Sequence, residues 1–357
     1  MTRIAFYAPL KSPRHPTPSG DRQMARNLIK ALGQGLNADV DLMSELRSRE
    51  PDGQAEAQAR LMSEAQDEIT RLIPRTSDCA LWVTYHNYYK APDLIGPHIA
   101  AAHGIPYVLI EATRAKSRLT GPWAGFAKAA EAASNAASAI FSLTARDRVA
   151  LDRDRTQGQQ IVPLAPFVDR DTLPDPAPGD GPMLTVGMMR PDDKLESYRL
   201  LAQALESVTG DWHLQIAGDG PARPQVEALF APFAPRVTFL GALDPEALAH
   251  QYAQAGLFVW PGVNEAFGMV YIEAQIAGLP IVAQDRPGVR DVLPPGDYPT
   301  PEDGPTGLAA RLNDLLSNPD TRHAASAAAR QNATRHLMPA AAATLRGTLT
   351  PLIGGTP

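Results

Sequence analysis

A single cysteine, Cys79, stands in 357 residues. It cannot close an internal disulfide and reads as a small buried residue at the start of a strand, in keeping with a reducing compartment. No apolar run is long enough to cross a bilayer, and the strand-like Arg3-Ile4-Ala5-Phe6-Tyr7-Ala8 comes so early that no signal peptide is expected ahead of it. The expected location is the cytoplasm, with peripheral contact at the inner face of a membrane left open. Histidines and cysteines do not cluster, so zinc has no ligand set. The glycines after the first strand do not form the dinucleotide fingerprint, which argues against a dehydrogenase. Asp152-Arg153-Asp154 imitates a metal-binding Asp-X-Asp, but it sits in the mixed-charge helical surface from Ala145 to Arg155, and no metal is expected there. There is no internal repeat, and the 34 prolines scatter over apparent loops.

What is present fits a soluble α/β protein: 44% hydrophobic and 20% charged residues, in short apolar runs that alternate with amphipathic stretches. The pattern predicts strands near 3–8, 38–43, 80–85, 106–110, 138–142 and 160–163, then near 183–188, 213–217, 237–240, 257–260 and 280–283. A helix opening at Asp21 puts Met24, Leu28 and Leu32 on one face. The Pro/Gly-rich stretch from Asp171 to Pro182 breaks this alternation. The expected organisation is a first domain over 1–168, a linker over 169–182, a second domain over 183–335 and a last helix over 336–357 packing back on the first domain. Both domains are expected to be doubly wound and Rossmann-like, facing a cleft lined by loops at the carboxyl ends of the strands. The net charge of −6 argues against general nucleic-acid binding. It is uneven: residues 1–168 hold 20 Lys+Arg against 17 Asp+Glu, and the remainder 13 against 22. An anionic acceptor or surface would meet the first half.

The densest chemical signal is Asn264-Glu265-Ala266-Phe267-Gly268-Met269-Val270-Tyr271-Ile272-Glu273-Ala274, which follows the apolar run Leu257-Phe258-Val259-Trp260. Glu265 falls in the turn between a strand and a helix. The amides of Phe267, Gly268 and Met269 then have no partner within the helix, and with the helix dipole they favour a phosphate or polar sugar oxygens. Gly268 carries no side chain to block that approach. Glu273 lies about two helical turns further on, so both carboxylates can flank one crevice. Upstream, Arg190 and Lys194 follow a strand end, where two fixed cations can neutralise a diphosphate leaving group. Arginine brings a bidentate fork and lysine a mobile point charge.

These residues occur in the order of one known family. Thr185-Val186-Gly187-Met188-Met189-Arg190-Pro191-Asp192-Asp193-Lys194, Gln215-Ile216-Ala217-Gly218-Asp219-Gly220-Pro221, Val237-Thr238-Phe239-Leu240-Gly241, the Glu265 to Glu273 segment and Gly278-Leu279-Pro280-Ile281-Val282 resemble the donor domain of family 4 glycosyltransferases across about 183–293. The resemblance implies the GT-B architecture and a sugar-nucleotide donor (UDP- or GDP-sugar). It also implies no cofactor or catalytic metal, and transfer to a hydroxyl acceptor with retained anomeric configuration. It assigns Glu265 to hydroxyls of the donor sugar, Glu273 to the ribose, and the Phe267 to Met269 amides to sugar or phosphate. Gly187, Gly218 and Leu243 would border the donor, and Gly20, in Pro18-Ser19-Gly20-Asp21, would bring its amide to the diphosphate.

The sequence departs from the family after the strand Pro106-Tyr107-Val108-Leu109-Ile110, where members commonly have histidine and this chain has Glu111. Glu111 can orient the acceptor or stabilise positive charge on the sugar, or it can pair with Arg114 or Lys116 and serve structure. His86, ending the preceding strand, faces the expected cleft either as an acceptor contact or as a packed, hydrogen-bonded residue. Arg114-Ala115-Lys116-Ser117-Arg118-Leu119, with Trp123 and Phe126, would suit a glycolipid headgroup at a membrane surface, or equally a polar loop before a core-facing helix. The carbohydrate or lipid acceptor is expected to bind the first domain, with a role in envelope glycan or glycolipid synthesis. A sugar-nucleotide epimerase and a noncatalytic sugar-nucleotide-binding protein remain as alternatives.

Overall fold

The computed structural model describes residues 2–17 and 19–354, which divide into two compact units, Met1–Asp169 with Leu337–Pro357, and Arg170–His336. In the first unit, β1 (Thr2–Tyr7), β2 (Ala38–Ser44), β3 (Leu81–Asn87), β4 (Tyr107–Ala112), β5 (Ala139–Ser142) and β6 (Gln160–Pro163) form a parallel sheet in the order β2-β1-β3-β4-β5-β6. β3 is buried along its whole length. An all-parallel sheet covered on both faces requires such continuous burial. The helix Gly20–Leu36 begins at Ser19, whose hydroxyl accepts the Arg22 amide at 3.2 Å, and it buries Met24, Leu28 and Leu32. Its Gly35 lies against the last helix, Met338–Gly354, so closely that a Cβ there would stand 2.6 Å from the Ala342 carbonyl oxygen.

The second unit repeats the scheme with β7 (Met183–Val186), β8 (Leu214–Ala217), β9 (Val237–Gly241), β10 (Leu257–Val259) and β11 (Ile281–Val282) in the parallel order β11-β10-β7-β8-β9. The stretch 170–182 has no helix or strand and lies against this unit. The Ala177 amide bonds the Ala277 carbonyl at 2.8 Å, and Gly181 presses on Gln254, where a Cβ would fall 1.8 Å from the carbonyl oxygen. His336, expected in the final helical segment, is buried and belongs to the second unit; the chain returns to the first at Leu337.

β3 and β4 each run two residues past the ends read from the sequence, so His86 and Glu111 lie within strands rather than after them. Both take left-handed backbone, with φ of 75° and 60°. Tyr85 pairs with Ile110 and Asn87 with Ala112, and the two left-handed residues sit across from each other between these pairs. Apolar patterning carries no sign of this, because β-propensity describes an unbroken pleat and these positions interrupt it without ending it. No helix among the described residues is long and apolar enough to cross a membrane.

Candidate active site

At the carboxyl edge of the second sheet, β10 leads into Trp260, whose amide bonds the Val282 carbonyl at 2.9 Å and whose side chain is fully buried. The chain turns through Gly262 (φ 80°), where a Cβ would collide with the Tyr271 hydroxyl at 2.3 Å, and through Asn264 (φ 51°). The Asn264 side-chain amide donates to Asp193 at 2.7 Å and the Val263 amide to the Ser197 hydroxyl at 3.0 Å, tying the turn to the helix Asp193–Leu205. Glu265 follows. Its Oε1 accepts the Trp260 indole N–H at 2.9 Å and pairs with the Lys194 ammonium, which stands 5.5 Å from the Trp260 ring. A buried indole donor and a lysine thus hold one carboxylate in a single orientation.

Gly268 (φ 78°) caps the helix Met269–Ile276, and a Cβ there would meet the Tyr271 ring at 2.7 Å. No acceptor among the described residues takes the amides of Phe267, Gly268 and Met269. Tyr271 returns its hydroxyl to the Trp260 carbonyl at 3.0 Å, locking helix to strand, and burial pushes its phenol well above the usual range. Gly288, which sequence reading passed over, supports this turn from below: with φ 84°, a Cβ would lie 1.9 Å from the Ala266 carbonyl oxygen. A lone glycine before a short helix gives no local hint of such a contact.

Three glycines join the neighbouring loops. A Cβ on Gly218 (φ 144°) would be 1.9 Å from the Gly187 oxygen, one on Gly220 2.3 Å from the Met189 oxygen, and one on Gly187 3.0 Å from the Trp260 ring. The Gly218 amide bonds the Gly241 carbonyl at 2.8 Å, and Tyr198 donates to the Gly187 carbonyl at 2.7 Å. Leu243 is half-buried in the loop after β9, just before Asp244 caps the next helix. Arg190 is exposed and has no ion-pair partner among the described residues, so only Lys194 of the two cations touches Glu265.

Glu273 behaves differently from Glu265. It accepts from the Tyr252 hydroxyl at 3.0 Å and shares no partner with Glu265; burial raises its pKa, and the Tyr252 bond opposes this less strongly. A recess of about 540 Å³ at the opposite, amino-terminal end of the same sheet, bordered by Met183, Leu214 and Leu257, contains none of these residues.

In the first unit, the left-handed pair forms a contact that spacing did not foretell. His86 Nε2 lies 3.2 Å from Glu111 Oε2, and the imidazole rests on the Tyr85 ring, centroids 3.9 Å apart. His86 Nδ1 is buried with no hydrogen-bond partner among the described residues. Burial lowers the His86 pKa, but the Glu111 charge and bond outweigh it and the net shift is upward; for Glu111, burial raises and the His86 charge lowers, with a net shift downward. Both directions favour protonated His86 beside ionised Glu111. Non-glycine residues at positive φ are uncommon, and two facing each other mark stored strain of about 1–3 kcal/mol each.

The expected structural partners of Glu111 are engaged elsewhere. Arg114, its side chain buried, turns inward to Glu131 at 2.8 Å and Asn135 at 2.6 Å, and Lys116 binds Asp154 at 2.7 Å. Arg114 therefore leaves the basic surface run, and Phe126 is core. Asp154 is consumed by Lys116 and Arg153, and Asp152 by Arg148 at 3.1 Å; no group of three or more His, Cys, Asp or Glu side chains among the described residues is arranged to hold a metal. Gly20 is the exposed first residue of its helix with open space where a Cβ would be; Pro18 of the same loop lies outside the described residues. Cys79 is buried two residues before β3, and burial raises its thiol pKa.

Residues 182–318 match the family model described as "Glycosyl transferases group 1". The chain is 29% identical over 161 residues to the sulfoquinovosyl transferase of Arabidopsis thaliana, covering 42% of this chain and 30% of that protein. It is 28% identical over 264 residues to the alpha-D-kanosaminyltransferase of Streptomyces kanamyceticus, covering 67% and 66%. The matched portions thus span from under a third to about two thirds of these relatives. Among solved structures, sucrose-phosphate synthase from Thermosynechococcus elongatus superposes with a TM-score of 0.71 at 18% identity over 100% of both chains. Anabaena HepE in complex with UDP and glucose gives 0.66 at 15%, also over 100% of both. The architecture is the GT-B fold.

Proposed function

We propose that this chain, whose residues 182–318 belong to the glycosyl transferases group 1 family, transfers a sugar from a nucleotide-sugar donor to a hydroxyl acceptor. One observation carries the reading: Glu265 is held by the Trp260 indole and the Lys194 ammonium beside the unpartnered amides of residues 267–269. A carboxylate so fixed accepts from vicinal hydroxyls of a sugar, and the amides at the helix start suit its phosphates. The relatives named as sugar transferases support the same reading, as does the UDP held by the Anabaena neighbour.

In this account Arg190, free to swing, neutralises the diphosphate as it leaves, and Lys194 shares its charge between Glu265 and the phosphates. The bond from the anomeric carbon to the diphosphate breaks while the acceptor oxygen attacks from the same face. The acceptor proton passes to a phosphate oxygen of the leaving group. Configuration is retained and no metal is needed. Glu273 takes the ribose hydroxyls, its ionisation favoured once those hydroxyls replace lost water. Leu243, Gly187 and Gly218 border the donor, and Gly20 offers its amide to the diphosphate. Acceptor binding falls to the first unit, where Glu111, oriented by His86, meets the hydroxyl. The single buried cysteine suits a cytoplasmic setting.

The test is a thermal-shift screen of UDP- and GDP-sugars followed by turnover assays, with Glu265→Gln in parallel. A donor that binds the folded state must raise its melting temperature. Conversion of the sugar nucleotide without any acceptor would instead mark an epimerase, and binding with no transfer to any envelope glycan or lipid would mark a noncatalytic binder.

A further inference from the structure

Three cations in the first unit have no carboxylate partner among the described residues, and they lie beside one aromatic group. Lys90 follows β3, with its ammonium 5.0 Å from the Trp123 ring and 5.8 Å from that of Tyr89. Arg118, from the loop after β4, stands 5.3 Å from Tyr89 and 5.6 Å from Trp123. Tyr89 meets Trp123 edge-on at 5.7 Å and Tyr88 at 5.9 Å. Arg49 comes from the segment after β2. Burial raises the Tyr88 phenol pKa, and Arg49 opposes this more strongly than Asp21 adds to it. Neither Lys90 nor Arg118 makes an ion pair among the described residues.

Three nearby carboxylates are already engaged. Glu50 accepts the amides of Asp52, Gly53 and Gln54, Glu131 takes Arg114, and Asp154 takes Lys116. The platform is also fixed in place. The Trp123 indole donates to the Glu50 carbonyl at 3.3 Å, the Glu50 amide bonds the Lys90 carbonyl at 2.8 Å, and Gln58 holds the Pro122 carbonyl at 2.9 Å. Cations held over aromatic faces gain some attraction from the ring quadrupole, yet their hydrogen-bond donors stay unfilled. Aromatic rings set at right angles beside such donors offer an apolar face and charge together, which matches a saccharide with one apolar face and an anionic group.

We infer that Lys90 and Arg118, with the Tyr89 and Trp123 rings, form the recognition site for a carbohydrate acceptor that carries a phosphate or carboxylate. The inference rests on the glycosyl-transfer reading for the word acceptor, but the binding itself does not. The site lies at the carboxyl edge of β3 and β4, the strands that carry His86 and Glu111. Arg118 supplies a planar fork to the anion and Lys90 a point charge, while the rings cover the sugar.

The experiment is calorimetric titration of the full chain at low ionic strength with glucose 6-phosphate and with glucuronate, using glucose and inorganic phosphate as controls. Wild type is expected to bind the two acidic sugars and to lose affinity as salt rises, with glucose and inorganic phosphate at least tenfold weaker. The double substitution Lys90→Gln with Arg118→Gln is expected to cost tenfold or more in affinity, with Arg118→Lys recovering only part, while thermal unfolding stays at the wild-type temperature. Unchanged binding in the double variant would overturn the site. Inorganic phosphate binding as tightly as glucose 6-phosphate would overturn the carbohydrate half of it. Association with phosphatidylglycerol vesicles but with neither acidic sugar would make the cluster a membrane contact and overturn it too. Thermal stabilisation by nucleotide sugars, read on the same variants, separates the two proposals: its absence in wild type removes the glycosyl-transfer reading and leaves the anion result standing.

Discussion

Both units present loops at the carboxyl edge of a parallel sheet, but they shape those loops with different emphasis, although Asp192 and Asn264 of the second unit are also left-handed. The second unit uses backbone. Gly218, Gly220, Gly262, Gly268 and Gly288 all hold positive φ, and four of them stand so near a carbonyl oxygen or the Tyr271 hydroxyl that no Cβ fits. The first unit puts side chains where backbone freedom would be expected, with His86 and Glu111 in left-handed conformation, bound to each other inside adjacent strands. A surface that must admit phosphates closely benefits from bare backbone. A surface that must recognise an acceptor needs side-chain chemistry, and strain is tolerated where a buried ion pair over-determines the geometry.

The largest effect expected from breaking this contrast is at Gly218→Ala. With the Gly187 oxygen at 1.9 Å and φ of 144°, the loops after β7 and β8 must separate, at a cost of about 3 kcal/mol or more. Chemical denaturation should register this, and nucleotide-sugar binding should vanish with it. A Gly218→Ala protein of wild-type stability would mean that the backbone contact is not what shapes this edge.

The next effect is at Glu111→Gln. Removing one partner of a fully buried pair costs about 3–5 kcal/mol when the other charge is stranded, and Glu111 is only partly buried. His86 can shed its proton, so we expect roughly 2 kcal/mol at neutral pH. The pH dependence has a definite sign. His86 has its pKa raised above 6.5, so its contribution is full below pH 6.5 and fades as pH climbs through the raised value. Glu111 has its pKa lowered below 4.5, so its contribution is full above pH 4.5 and fades as pH falls through the lowered value. The stability gap between wild type and Glu111→Gln should therefore be widest between pH 4.5 and 6.5 and narrow toward alkaline pH. Melting curves across that range check it, and a gap that widens with alkalinity would contradict the charged pair.

The eleven strands among the described residues were each anticipated by the alternating pattern, most plainly where burial on both faces writes itself into composition, as along β3. The Glu265 segment was legible too, since a strand end, a glycine and a helix start are close in sequence. Its holding partners were not: Lys194 is 71 residues away, and Trp260 read as the last strand residue rather than as the donor that orients Glu265. Glu111 looked available to Arg114 because the two are neighbours in sequence, yet Arg114 reaches Glu131, 17 residues on in the helix Ala124–Ala136. Lys90, Arg49 and Arg118 come from three separate loops, and no window of sequence unites them.

A smaller effect is expected where neither device operates. Lys194→Met should leave the fold within about 1 kcal/mol, since its ion pair is partly solvated, but should weaken nucleotide-sugar binding by about tenfold as a charge-assisted contact is lost. Equilibrium titration with the donor found in the screen measures this. Smallest of all, Asp152→Asn removes only an exposed pair with Arg148 and should change stability by under about 0.5 kcal/mol, with activity unaltered. A large loss of activity there, restored by added divalent metal, would reopen the Asp-X-Asp reading.

Glu265 carries the central claim, and turnover of the stabilising nucleotide sugar by wild type and Glu265→Gln tests it most directly. The account predicts a loss of about 100-fold or more in turnover in the variant, with the donor's thermal stabilisation sharply reduced and the unliganded melting temperature nearly unchanged. Equal turnover and equal stabilisation in the two proteins would contradict it.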